Sequence, residues 1–250
     1  MEEKMEDTTF TTRQVGELLK IEDTRLKRGE SGIRQELQAL IDRLKSGGVA
    51  GKADNPRVAQ AKRLWDLGIG QELGFPNFEK YLATIPRIPS QLVLPDREFP
   101  LCVLVEPRLP LKMLCALGNV DFDGDDNTFV PWYPPPSLDP RNQPWPYWIR
   151  MQDGRKNRNR SVVDCRHDFA KNELGLTAFE GVSAYIQHPE VVTDLTQCNG
   201  HAMDLPGSVY RGDRALAAHF QVLSGRVELN WAGIDDDASS ECGSASCRKF

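Results

Sequence analysis

Apolar residues recur at helical spacing through the first third of the chain and at strand spacing through much of the rest. Val15, Leu18, Leu19 and Leu26 form one helical stripe, opened by Thr11 and Gln14 in capping-box relation. Ile33, Leu37, Leu40, Ile41 and Leu44 form a second, capped by Ser31 and stopped at Gly47-Gly48. These spacings predict helices over 11–27 and 31–45, paired as a helical hairpin. Asn55-Pro56 then marks a third start: asparagine is a strong N-cap, and proline suits the first helical position because its missing N–H would be unbonded there anyway. Val58, Ala61, Leu64 and Trp65 are its buried face, and Gly68 ends it. A short helix follows from Asn77, burying Phe78, Tyr81 and Leu82. Ile85-Pro86-Arg87-Ile88-Pro89 breaks helix, because each proline pushes its predecessor out of the α region.

Beyond that break the period changes. The apolar run 101–105, bounded by prolines, predicts a buried strand, and 110–117 a short helix stopped by Gly118. Residues 147–152 read as a strand and Asp153-Gly154 as a hairpin turn, with 155–163 as the return arm. Thr177 and Glu180 form a capping box for a helix over Val182, Tyr185 and Ile186 that ends at His188-Pro189. Two late strands, 217–223 and 226–231, are joined by Ser224-Gly225. Between these elements, Pro134-Pro135-Pro136, Pro140, Pro144 and Pro146 enforce an extended loop that carries Trp145. The fold class expected is α+β: a helical region over 11–85, then a mixed, mainly antiparallel sheet domain over 99–232 with two or three flanking helices. The polar ends, 1–10 and 233–250, read as disordered tails.

Composition adds bounds. A hydrophobic fraction of 40% in 250 residues gives material for a core, and a net charge of −5 argues against wholesale wrapping by nucleic acid. The acidic start has neither the basic nor the apolar segment of a signal peptide, and no apolar run reaches membrane-helix length. The expectation is a cytoplasmic protein without a membrane partner, its six cysteines kept as thiols. Cys242 and Cys247 are close in sequence but lack the second pair of a zinc site.

Three stretches carry candidate chemistry. The window 150–171 holds seven basic residues (Arg150, Arg155, Lys156, Arg158, Arg160, Arg166 and Lys171) against three acidic ones, a positive island in an acidic chain. Arginine forks suit phosphates, and Trp145 and Trp148 upstream suit stacking on bases. Trp145, Trp148, Arg150, Arg155, Lys156, Arg158 and Arg160 are therefore the candidate contact residues for an anionic ligand such as nucleic acid. The plainer alternative is a solvated edge.

The loop 121–127 offers Asp121, Asp123 and Asp125 to a divalent cation, although position twelve of an EF-hand count is Trp132 where a bidentate glutamate is needed. Asp, Asn and Gly also simply make turns. Cys165-Arg166-His167-Asp168, together with His201, His219, Cys198 and Asp204, supplies groups for nucleophilic or acid–base work, but no established catalytic motif is present. The leading expectation is thus a non-catalytic binding module. Two alternatives accompany it: a metal-assisted hydrolase or transferase using 121–126 with His167 or His201 as acid or base, and an assembly protein that self-associates or meets a protein partner through 11–45.

Overall fold

Helix α1 (Pro56–Asp66) starts where Asn55 accepts a hydrogen bond from the Arg57 backbone N–H at 3.0 Å, with proline in the first turn. The computed structural model that shows this describes residues 55–93, 96–132, 144–169, 173–234 and 239–248. The expected helices over 11–27 and 31–45, the tail 1–10 and most of the proline loop lie outside the described residues. The short helices α2 (Ile69–Glu72), α3 (Phe78–Thr84) and α4 (Ser90–Val93) follow, α3 capped by Asn77 as its sequence predicts. Arg57 ties the group together by donating to the carbonyls of Leu82 and Ile85.

The rest of the described chain is a mixed α+β domain of two sheets. Strand β1 (Leu101–Val105) precedes α5 (Leu111–Leu117), β2 (Phe129–Pro131) and β3 (Tyr147–Gln152). Helix α6 (Val162–Asp168), β4 (Glu173–Gly175) and α7 (Ala178–Gln187) come next. Then β5 (Ala202–Tyr210), β6 (Asp213–Leu223), β7 (Arg226–Gly233), β8 (Cys242–Ser244) and β9 (Ser246–Arg248) close the chain. One sheet has the order β1-β3-β9-β4; in the other, β2, β5, β6 and β7 follow one another and β8 also pairs with β5. Pairing is antiparallel except for β5 with β8.

Helix α7 is buried on nearly every side and packs on strands of both sheets. Its capping box is formed as predicted, with the Thr177 and Glu180 side chains each bonded to the other's backbone. Gly181 lets α7 approach β5, since a Cβ there would sit 2.7 Å from Leu205. Leu104, Ile149, Val182, Met203, Leu205 and Phe220 meet in the core around it. At its edge Glu106 is fully buried, held by Arg108 and accepting from the Tyr81 hydroxyl at 3.1 Å. Burial and the Glu106 charge push the Tyr81 phenol far above its usual range.

Two expectations are corrected. Residues 155–163 are not a return strand: Gly154 (φ 91°) leads into a single 3₁₀ turn, Arg155–Asn157, and then α6, capped by Ser161. The reason is that the open edge of β3 is taken by β9, which pairs Met151 with Cys247 and Gln152 with Ser246. The second concerns the end of the chain, where 233–250 was expected to lack structure. Its β8 and β9 join the two sheets instead. Strand β5 was not foreseen, because Pro206-Gly207 interrupts it; the strand absorbs them in an irregularity between Leu205 and Val209.

Candidate functional site

The basic segment folds as a tight turn pinned from inside. The Asn157 side-chain amide is buried and donates to the Ser244 carbonyl at 2.6 Å, and the Gln152 amide donates to the same carbonyl at 3.0 Å. Gly154 crosses Gly243 so closely that a Cβ on Gly154 would lie 2.1 Å from the Gly243 carbonyl oxygen. On this frame, Arg155 pairs with Asp153 and also donates to the Glu190 carbonyl at 2.9 Å. Lys156 meets Glu173 at 3.2 Å and sits over the Phe99 ring, and Arg160 reaches Asp168 at 2.6 Å. These three side chains are 41%, 43% and 36% exposed. Arg158 differs: it turns inward, donating to His201 Nδ1 at 3.2 Å and to the Gly200 carbonyl at 2.7 Å.

Trp148 and Arg150, expected at the contact surface, are buried. Strand β3 is covered on both faces, so alternate positions do not reach solvent. The Trp148 indole donates to the Pro86 carbonyl at 3.0 Å, and Arg150 donates to the carbonyls of Leu92 and Pro100, both at 2.9 Å. Both residues hold the fold and are withdrawn from the contact set. Trp145, two residues before β3, is 64% exposed.

The acidic loop is occupied by its own turn. Asp125 accepts from the Asn127 backbone N–H at 2.8 Å, Asp126 accepts from the Lys112 N–H at 3.1 Å, and Asp121 pairs with Arg226 at 3.2 Å. No group of three or more His, Cys, Asp or Glu side chains among the described residues is arranged to hold a metal ion. Asp121, Asp123 and Asp125 therefore draw no geometric support as a metal site.

The four histidines sort by what holds them. His167 is 86% exposed beside Asp168, and His188 lies 3.2 Å from Glu190. His201 has no solvent exposure and uses both ring nitrogens, Nδ1 toward Arg158 and Nε2 toward the Asp153 carbonyl at 2.8 Å. His219 and Asp204 face each other across β5 and β6, with Nδ1 and Oδ1 2.9 Å apart. Sequence reasoning named both of these residues but could not pair them, since β5 was not recognised. Burial pushes the thiols of Cys102, Cys165 and Cys242 upward and that of Cys115 to about 12, the reverse of nucleophile activation.

No known family model, curated protein or solved structure matches this chain. Its class is set by its own architecture, a mixed α+β fold of two mainly antiparallel sheets. No helix among the described residues is long and apolar enough to cross a membrane.

Proposed function

We propose that this protein is a non-catalytic binding module for an extended anionic ligand, single-stranded nucleic acid being the form that fits best. The observation that carries the reading is the turn at 153–160: a rigid, internally bonded frame that directs Arg155, Lys156 and Arg160 outward. Of their present partners, Asp168 is open to water and a surface pair of that kind is worth about 0–1 kcal/mol, while Asp153 and Glu173 are more enclosed. Exchanging the Asp168 carboxylate for a phosphate oxygen at Arg160 therefore costs little, and arginine forks match phosphate well. Trp145 supplies an exposed ring at the far end of β3. The strand between Tyr147 and Gln152 spans roughly 17 Å at about 3.3 Å per residue. A ligand touching both ends must be extended, which favours a single strand over a mononucleotide.

A titration with labelled random single-stranded RNA and with duplex DNA at several salt concentrations tests this. RNA binding should weaken steeply with salt, and an Arg155/Lys156/Arg160→Ala variant of unchanged melting temperature should lose it. Binding that ignores salt, or survives in that variant, overturns the reading.

One observation favours a second reading. A histidine oriented by a carboxylate, as His219 is by Asp204, is the arrangement of a general base. Turnover of generic chromogenic esters or phosphate esters, lost in a folded Asp204→Asn variant, would support an enzyme. Turnover equal to buffer alone would leave the pair as a cross-strand tie.

A further inference from the structure

We propose that His201 is an acid-operated release for Arg158: taking up a proton, the imidazole lets go of the guanidinium and makes it available to the anionic ligand. The proposal rests on the binding reading above and assigns that site a regulator.

The geometry fixes the state of the ring. Arginine has donors and no acceptor, so His201 Nδ1 must present its lone pair to Arg158 Nε. Nε2 then carries the ring hydrogen and donates to the Asp153 carbonyl. Only the neutral tautomer satisfies both bonds. A proton added from solvent goes to Nδ1, because that is the one lone pair left. It sets N–H against N–H and one positive charge against another, with His201 fully buried, where charges are weakly screened. The Arg158 Nε bond breaks, and the bond from its other nitrogen to the Gly200 carbonyl is the one left among those described.

The surroundings set where this happens. Desolvation is the largest influence holding His201 below the usual histidine range, and the charges of Arg155 and Arg158 act the same way; the Asp153 carbonyl and carboxylate oppose them. The other elements against His201 bring Glu190, whose carbonyl takes Arg155, Asp194, beside the 193–201 bridge, and Glu241, whose carbonyl takes the Ala202 N–H. The Asp194 carboxylate is turned to the N–H groups of Thr196, Ser224 and Gly225. Release therefore belongs on the acid side of the usual histidine range.

Released Arg158 joins Arg155, Lys156 and Arg160 on one turn. One added phosphate contact steepens the salt dependence of single-strand binding by about 0.7 and raises affinity by about tenfold.

The test is a pH titration of the full chain followed by ¹⁵N NMR of the imidazole and of the Arg158 Nε–H, without ligand. Binding of random single-stranded RNA is measured in parallel. The expected result is an Arg158 Nε–H resonance that moves with the His201 titration, together with tighter RNA binding in acid. In His201→Gln, whose carboxamide makes both bonds but does not titrate, both changes should vanish. They should persist in a His167→Gln/His188→Gln variant. A His201 titration that leaves the Arg158 resonance unmoved overturns the release. Release of Arg158 with no RNA bound at any pH instead overturns the binding reading, and with it the role assigned here.

Discussion

At the scale of single residues, Gly154 and Gly243 do something no other residue type could do in their places. Each would drive a Cβ to within 2.1 Å of the other's carbonyl oxygen, and Gly154 is in the left-handed region besides. Gly243→Ala should destabilise the domain by several kcal/mol, read as a drop in urea midpoint, because the Cβ would strike the Gly154 carbonyl, which is backbone and cannot swing aside. His201 gives a second expectation at this scale. Its folded pKa is depressed, so the unfolded chain binds the proton more readily. Its contribution to stability is then present above about pH 6.5 and is lost as pH falls through the folded value. Urea midpoints of the wild type should fall between pH 7.5 and 5, and those of His201→Gln should fall less.

At the scale of elements, a strand edge is closed by a side chain. The Gln60 amide of α1 lies along the outer edge of β1, accepting from the Leu104 N–H at 2.8 Å and donating to the Cys102 carbonyl at 2.7 Å. It imitates a neighbouring strand for one residue pair. Gln60→Ala would orphan a buried N–H, costing about 1–3 kcal/mol. It would also leave an edge prone to pairing, so light scattering should show self-association alongside the lower urea midpoint. Removing the Thr177 cap by Thr177→Ala should cost α7 about 1 kcal/mol in the same assay.

What was legible in the sequence was local chemistry. Asn55-Pro56, Asn77 and the Thr177–Glu180 box start helices where predicted, and Ser224 (φ 51°) with Gly225 (φ 77°) turns β6 into β7. Hidden elements depended on distant partners. Asp153-Gly154 looks like a hairpin turn until one knows that the end of the chain takes the edge of β3. Cys242 and Cys247 sit in a polar segment with little strand propensity of its own, and only pairing to β5, β3 and β4 makes it sheet. The same limit applied to the site. Burial of Trp148 and Arg150 and the inward turn of Arg158 follow from tertiary cover, which a one-dimensional count of positive charge does not contain.

At the scale of the whole molecule, the last described residues join the two sheets. Strand β8 lies parallel to β5 in one sheet, and four residues later β9 sits between β3 and β4 in the other. Between them the Ala245 N–H donates to the Asp204 carbonyl and the Ala245 carbonyl accepts from the Leu176 N–H, both within 3.1 Å. Deleting residues 242–250 would strip an interior strand from one sheet and uncover the buried Gln152 and Asn157 amides. Such a truncated chain should show no cooperative thermal transition.

That arrangement sets an order of events during synthesis. A ribosome makes β3 and β4 well before it makes β9, the strand that separates them. Until residues 246–248 have emerged, the edges of β3 and β4 stand open with nothing of their own chain to fill them. The nascent domain therefore waits, incomplete, for its latest strand, and any chaperone that attends it has its natural task in that interval.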